Sequence, residues 1–219
     1  RSIWSRHSKN SFAYSDYSSP SAYGTAVVGT VSGTSISFGT PVVFNSRATY
    51  YSSAIYDSSN NKVVISYQDS GNSGYGTAIV GTVSGTSISF GTPTAYESST
   101  TYADVKTIYD STNNKVVIAY SMTGSGKAVV GTVSGTSISF GSASTFTSST
   151  CNFVGGAYDS TNQKVVITYS DHGNSYRGTA IVGTVSGTSI SFDSGSEFTY
   201  TDDMSGYLTA IYDTSNDKV

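Results

Sequence analysis

The sequence predicts an all-β fold on three observations. A unit of about fifty residues recurs along the chain, each copy holds short runs of β-branched and aromatic residues set off by turn residues, and no stretch keeps a 3.6-residue apolar period. The ten residues from Gly29 to Phe38 return letter for letter from Gly81, Gly131 and Gly183, at spacings of 52, 50 and 52. A second marker, Tyr-Asp-Ser/Thr-Ser/Thr-Asn-x-Lys-Val, begins at Tyr56, Tyr109, Tyr158 and Tyr212, at spacings of 53, 49 and 54.

Together the markers divide the chain into one repeat domain with units 3–55, 56–108, 109–157 and 158–211 and a partial unit 212–219. The first copy is degraded. Phe12-Ala13-Tyr14-Ser15-Asp16 parallels Ile167-Thr168-Tyr169-Ser170-Asp171, and Ile3-Trp4 stand where other copies have Ile55-Tyr56.

Four strands are expected in each unit. Around the marker at Tyr56, strand A ends at Ser53 to Tyr56 and strand B is Lys62 to Tyr67, with Asp57 to Asn61 as the hairpin between them. Asp caps such a turn through its own carboxylate and Asn tolerates positive φ, so Asp57 with Asn60, Asp110 with Asn113, Asp159 with Asn162 and Asp213 with Asn216 are assigned as structural turn residues. Strand C, Gly76 to Val83, is apolar on both faces and needs cover on both sides. A Ser84-Gly85 turn leads to strand D, Thr86 to Phe90, whose alternation of Ile88 and Phe90 with serines suits a half-exposed outer strand.

Four-stranded antiparallel units of this size, covered on both faces, are expected to be blades of a β-propeller, with an open β-solenoid or a string of repeat units as the alternative. Tyr158 to Lys164, Tyr-Asp-Ser-Thr-Asn-Gln-Lys, resembles the Tyr-Asp-x-x-Thr-Asn hairpin of kelch-type blades. The Gly-Gly pair of that family occurs once, at Gly155-Gly156, and Val165 stands in place of its Trp.

Composition narrows the function classes. Charged residues make up 11% of the 219, against roughly 25% in typical soluble domains, and the net charge is -3, so no cationic surface is expected for nucleic acid. No run of residues is long and apolar enough to span a bilayer as a helix, so membrane insertion is not expected, and no signal-peptide pattern opens the chain. Cys151, the one cysteine, has no partner for an internal disulfide and reads as a small semi-buried residue. Asn-x-Ser/Thr acceptor sites are absent.

Catalytic and metal readings are weak. His7 and His172 accompany no nucleophile signature, and His172 is expected in an exposed turn. Glu97 and Glu197 occupy corresponding loops two units apart, and Asp202-Asp203 lie near Glu197. The expectation is no catalytic residue, no metal and no cofactor.

Connections in an antiparallel unit alternate ends. The A to B and C to D turns, nearly invariant between copies, share one rim, and the divergent B to C and D to A connections share the other. Binding residues favour loops on a rigid scaffold, so the divergent rim is the candidate binding face. Its aromatic and polar side chains Tyr50, Tyr51, Tyr75, Tyr96, Tyr102, Tyr176, Arg177, Tyr200 and Tyr207 are the candidate ligand-binding residues. The expected function is a non-enzymatic extracellular or virion-surface repeat scaffold for adhesion, with glycans or another protein surface as partners and self-association as a further route. The alternatives are a lectin propeller, a structural filament subunit and, last, a glycosidase or lyase.

Overall fold

The structure is a computed structural model that describes residues 9–18, 21–101, 104–199 and 208–219. It is all-β. The strands are β1 (Lys9–Asp16), β2 (Tyr23–Ser32), β3 (Ser35–Phe38), β4 (Val42–Asp57), β5 (Lys62–Asp69), β6 (Tyr75–Ser84), β7 (Ser87–Phe90), β8 (Thr94–Thr100) and β9 (Val105–Asp110). They continue as β10 (Lys115–Met122), β11 (Ser125–Ser134), β12 (Ser137–Phe140), β13 (Ser144–Thr147), β14 (Cys151–Asp159), β15 (Lys164–Asp171), β16 (Arg177–Ser186), β17 (Ser189–Phe192) and β18 (Ser196–Glu197). Helix among the described residues is limited to the 3-10 turns Ser70–Asn72 and His172–Asn174.

Every pairing is antiparallel. The third unit orders its strands β12-β11-β10-β9 and the fourth β14-β15-β16-β17. The first two units share one sheet, because β4 pairs with β2 through its first half and with β5 through its second. Among the described residues none of the three sheets closes on itself.

Two details differ from the sequence expectation. Ser84 pairs with Ser87, so the C to D turn is Gly85-Thr86 and not Ser84-Gly85. Positive φ falls on Gly85 (61°) alone of the two, the pattern of a type II′ turn, whose twist matches that of the flanking strands. The D to A connection is also no simple loop. After strand D the chain adds a further strand, the start of β4 or β8, β13 or β18, along the same edge of strand C. Strand C has ten residues to the four of D, and this segment pairs the part that D leaves open.

Side-chain alternation lets each unit pack against both neighbours. Ala26, Val28 and Phe44 of the first unit meet Val63, Ile65, Tyr67, Ile79 and Ile88 of the second. The same positions recur between the second and third units, with Ala78, Val80 and Tyr96 against Val116, Ile118, Tyr120, Val129 and Ile138. They recur again as Ala128, Val130 and Phe146 against Val165, Ile167, Tyr169, Ile181 and Ile190. Three consecutive interfaces thus bury one residue set. Fully burying side chains of this size contributes roughly 1.5–3 kcal/mol each.

An aromatic triad packs within each interface. Phe44 lies 5.2 Å from Tyr67 and 5.7 Å from Phe90; Tyr96 lies 5.0 Å from Tyr120 and 5.8 Å from Phe140; Phe146 lies 5.1 Å from Tyr169 and 5.9 Å from Phe192. Tilted and edge-on ring pairs of this kind add about 0.5–1.5 kcal/mol beyond their buried area. Tyr96 therefore belongs to the core. Its assignment to the ligand-binding rim is corrected: Thr94 to Glu97 form strand, and alternation turns the ring at 96 inward.

Candidate functional site

The hairpin rim is built from one motif. In the second unit the Asp57 Oδ1 accepts the backbone N–H groups of Ser59 (3.0 Å) and Asn60 (3.1 Å), and its Oδ2 accepts the Asn60 side-chain amide at 2.8 Å. Asp110 holds Thr112 and Asn113 in the same way, Asp159 holds Asn162, and Asp213 holds Ser215 and Asn216. Asn is thus required at 60, 113, 162 and 216 for its side-chain donor. The positive φ falls one residue later, at Asn61, Asn114, Gln163 and Asp217.

The hairpins also join across units. Tyr109 donates its hydroxyl to Ser59 Oγ (2.7 Å), and the Tyr212 hydroxyl lies 2.7 Å from Thr161 Oγ1 and 2.9 Å from Asp217 Oδ1, which also accepts the Thr161 hydroxyl. Hydrogen bonds to the carboxylates hold several of these acids below the usual range: Asp159 chiefly through the Asn162 backbone N–H, Asp213 through the Asn216 side chain, Asp217 through the Thr161 hydroxyl. With their oxygens used in this way the Asp residues are turn braces. Among the described residues no group of three or more His, Cys, Asp or Glu is arranged to hold a metal.

The loop rim is also braced, but each unit differs. Asp69 caps the 3-10 turn after β5 by accepting the Gly71 N–H at 3.0 Å and also accepts the Asn45 amide at 3.1 Å, which ties the B to C loop to β4. Asp171 caps the equivalent turn through Gly173 N–H at 2.9 Å. Around these fixed turns lie the exposed rings. Tyr50 and Tyr51 neighbour each other in β4, centroids 6.4 Å apart, where the strand bulges and Tyr51 takes φ 51°. Asp104 and Phe153, which also precede strand A by the same count, share that left-handed conformation (35° and 55°), and Asp104 Oδ2 accepts the Phe153 N–H. Burial pushes the Asp104 carboxyl up, against the pull of that N–H.

Tyr176 is exposed and its ring lies tilted against His172, centroids 4.3 Å apart. His172 is half-buried rather than in an exposed turn, and its Nε2 has no hydrogen-bond partner among the described residues. Arg177 reaches Glu197 at 3.1 Å, and the hydrogen bond from Asn174, with that from Arg177, holds the Glu197 carboxyl below the usual range. Glu97 is bound to Lys127 at 3.2 Å and accepts the Tyr120 hydroxyl at 3.1 Å. Each glutamate is matched to its own cation, in β8 and β18. Tyr75 is half-buried.

Of the candidate residues, Tyr50 and Tyr51 are brought together in β4, and Tyr176 and Arg177 are neighbours at the start of β16. Tyr102, Tyr200 and Tyr207 lie outside the described residues, as do His7 and Asp202-Asp203. Sequence reasoning missed the pairing of Tyr176 with His172, although their spacing in a Gly-containing turn was visible. Cys151 is fully buried beside Phe146 and Tyr169, and burial pushes its thiol up to about 12. No helix among the described residues is long and apolar enough to cross a membrane.

At this level the molecule is a tandem-repeat protein of antiparallel sheets packed face to face, with one invariant rim and one divergent rim. No protein-family model and no curated protein matches the chain.

Proposed function

We propose that the chain is an array of propeller-type blades serving as a non-enzymatic, extracellular or virion-surface scaffold for adhesion and recognition, with the loop rim as its binding face. The observation behind the reading is the combination of braced backbone with exposed aromatic surface: Tyr50, Tyr51 and Tyr176 are 37%, 48% and 46% exposed beside loops capped by Asp69 and Asp171. Rigid, amphipathic rings on fixed loops suit weak recognition of sugar rings or protein surfaces, because little side-chain freedom is lost on contact.

Face-to-face units of four antiparallel strands favour the propeller type, as does the placement of β9 beside both β4 and β14, strand A against strand A. The lectin alternative needs equivalent pockets between units, and the divergence of the loop residues at Tyr75, Ser125 and Arg177 speaks against it.

A glycan-array screen of the whole chain tests the reading, with Tyr50→Ala/Tyr51→Ala and Tyr176→Ala alongside. Saccharide binding that falls at least tenfold in either variant supports it; binding that both variants retain would move the site off this rim, and no binding to glycans or surface proteins would leave a structural subunit.

A further inference from the structure

The chain has seven lysines, and five of them, Lys9, Lys62, Lys115, Lys164 and Lys218, stand at one position of the repeat, the first residue of strand B. Lys62 Nζ donates to Thr82 Oγ1 at 2.9 Å, Lys115 to Thr132 at 2.8 Å and Lys164 to Thr184 at 2.7 Å. Each threonine is in turn the register partner of a strand D serine, Ser89, Ser139 or Ser191. An ammonium and two hydroxyls therefore stand in a row across strands B, C and D. Alternation puts the row of Lys62 on the face that carries Val64 and Val80 into the packing with the next sheet. In all three rows the lysine and threonine are half-buried and the serine is exposed, so each row opens outward at the mouth of the groove between packed sheets.

The chain's own acids do not match these cations. Lys127 and Arg177 hold Glu97 and Glu197, whereas Lys62, Lys115 and Lys164 form no ion pair among the described residues. The aspartates of the adjoining hairpins, Asp57, Asp110 and Asp159, are buried, and their oxygens are taken by backbone N–H groups and by the Asn side chain. Nor is the lysine tied to that turn. Ahead of Lys9 the hairpin motif is gone and Ser5-Arg6-His7-Ser8 stand instead, yet Lys9 is kept opposite Thr30 in the strand register, with Ser37 opposite Thr30 in turn. Covering the groove would need only a long stem, because the methylenes do the covering while the head stays in water. What four copies keep is lysine, threonine and serine together.

An ammonium flanked by hydroxyls is a seat for an oxyanion, which takes a charge-assisted hydrogen bond from the one and neutral hydrogen bonds from the others. Packed sheets lie roughly 10 Å apart, so successive rows offer that seat at about the same interval. We propose that the hairpin rim binds an acidic polysaccharide laid across the sheets, each Lys-Thr-Ser row taking one carboxylate or sulfate. A single seat in water is weak, and several in line gain by effective concentration. The hydroxyls, donor and acceptor at once, also suit the sugar hydroxyls between the charges. A duplex strand spaces its phosphates about 3.4 Å apart along the axis, far denser than one cation per row. The inference is independent of the aromatic loop rim, which lies at the opposite ends of the strands.

Biolayer interferometry of the whole chain on immobilised heparin, polygalacturonate and dextran tests it. Binding to heparin, or to both heparin and polygalacturonate, is expected, with none to neutral dextran and a loss of affinity as salt rises from about 20 to 500 mM. Binding to both means that a carboxylate suffices, and binding to heparin alone that the seat takes sulfate. Lys62→Gln/Lys115→Gln should weaken binding at least about tenfold and Ser89→Ala/Ser139→Ala about threefold. Arg47→Gln/Lys106→Gln removes the same charge elsewhere and should change it less than about twofold, as should Tyr50→Ala/Tyr51→Ala. Far-UV circular dichroism and the melting temperature establish that each variant is folded; should the lysine variant not fold, the serine variant takes its place. The proposal is overturned if neither acidic polysaccharide binds, if dextran binds as well as they do, if the lysine variant binds like the parent or no worse than Arg47→Gln/Lys106→Gln, or if polyglutamate or single-stranded DNA is held as tightly.

Discussion

The third and fourth units carry nearly the same strands, yet the outward faces of the two live in different surroundings. Val130 is completely buried under the fourth unit, while Val182, its counterpart, is 37% exposed; Phe146 sits within a triad of rings, while Phe198 is 46% exposed. The same residue in the same strand is core or surface according to what packs on it. Energetic weight in a repeat array belongs to the junction between units, as nearest-neighbour coupling requires.

Charge placed on the two faces gives the sharpest contrast. Val130→Asp buries an unpaired carboxylate between sheets and is expected to cost about 3–5 kcal/mol, whereas Val182→Asp should change stability by no more than about 0.5 kcal/mol in urea unfolding. Equal losses would mean that the fourth face is covered in solution. Truncation follows. Phe146→Ala removes the centre of a ring triad and should cost about 3–5 kcal/mol, against under about 1 kcal/mol for Phe198→Ala, read by thermal unfolding.

The hairpin braces separate less. Asp110→Ala leaves the Thr112 and Asn113 N–H groups without their acceptor at a buried position and should cost about 1–3 kcal/mol, while the exposed Asp213→Ala should cost less than half of that.

Acid is the mildest probe. Asp159, Asp213, Asp217 and Glu197 have carboxyls held below their unfolded values, so the folded state binds fewer protons than the unfolded one near pH 4. Their stabilisation is fully present above the unfolded values of about 4 and is lost as pH falls through the lower folded values. A melting-temperature series from pH 6 to pH 2.5 should slope downward below about pH 4, and Asp159→Asn should flatten that slope slightly. An unchanged slope would leave the Asn162 hydrogen bonds without energetic weight.

Much of this was legible in the sequence. The invariant decamer announced a C to D hairpin, and the Asp-Asn marker announced the A to B hairpin, because turn geometry is a local matter of which residues accept positive φ or cap a backbone N–H. The strand after D was not legible, since divergent residues there read as loop. Its signal was an aromatic six residues beyond the strand D Phe in every copy: Phe44, Tyr96, Phe146 and Phe198. Tyr96 was accordingly assigned to a binding rim when it is a core ring.

By itself the sequence determined the all-β class, the hairpins and the division into a nearly invariant and a divergent rim, all of which follow from short-range chemistry and from repetition. Only the tertiary structure decided which identical residues are buried and why glycine follows strand D three times. Those depend on the approach of one unit's backbone to the next, a distance that no local pattern of residues encodes.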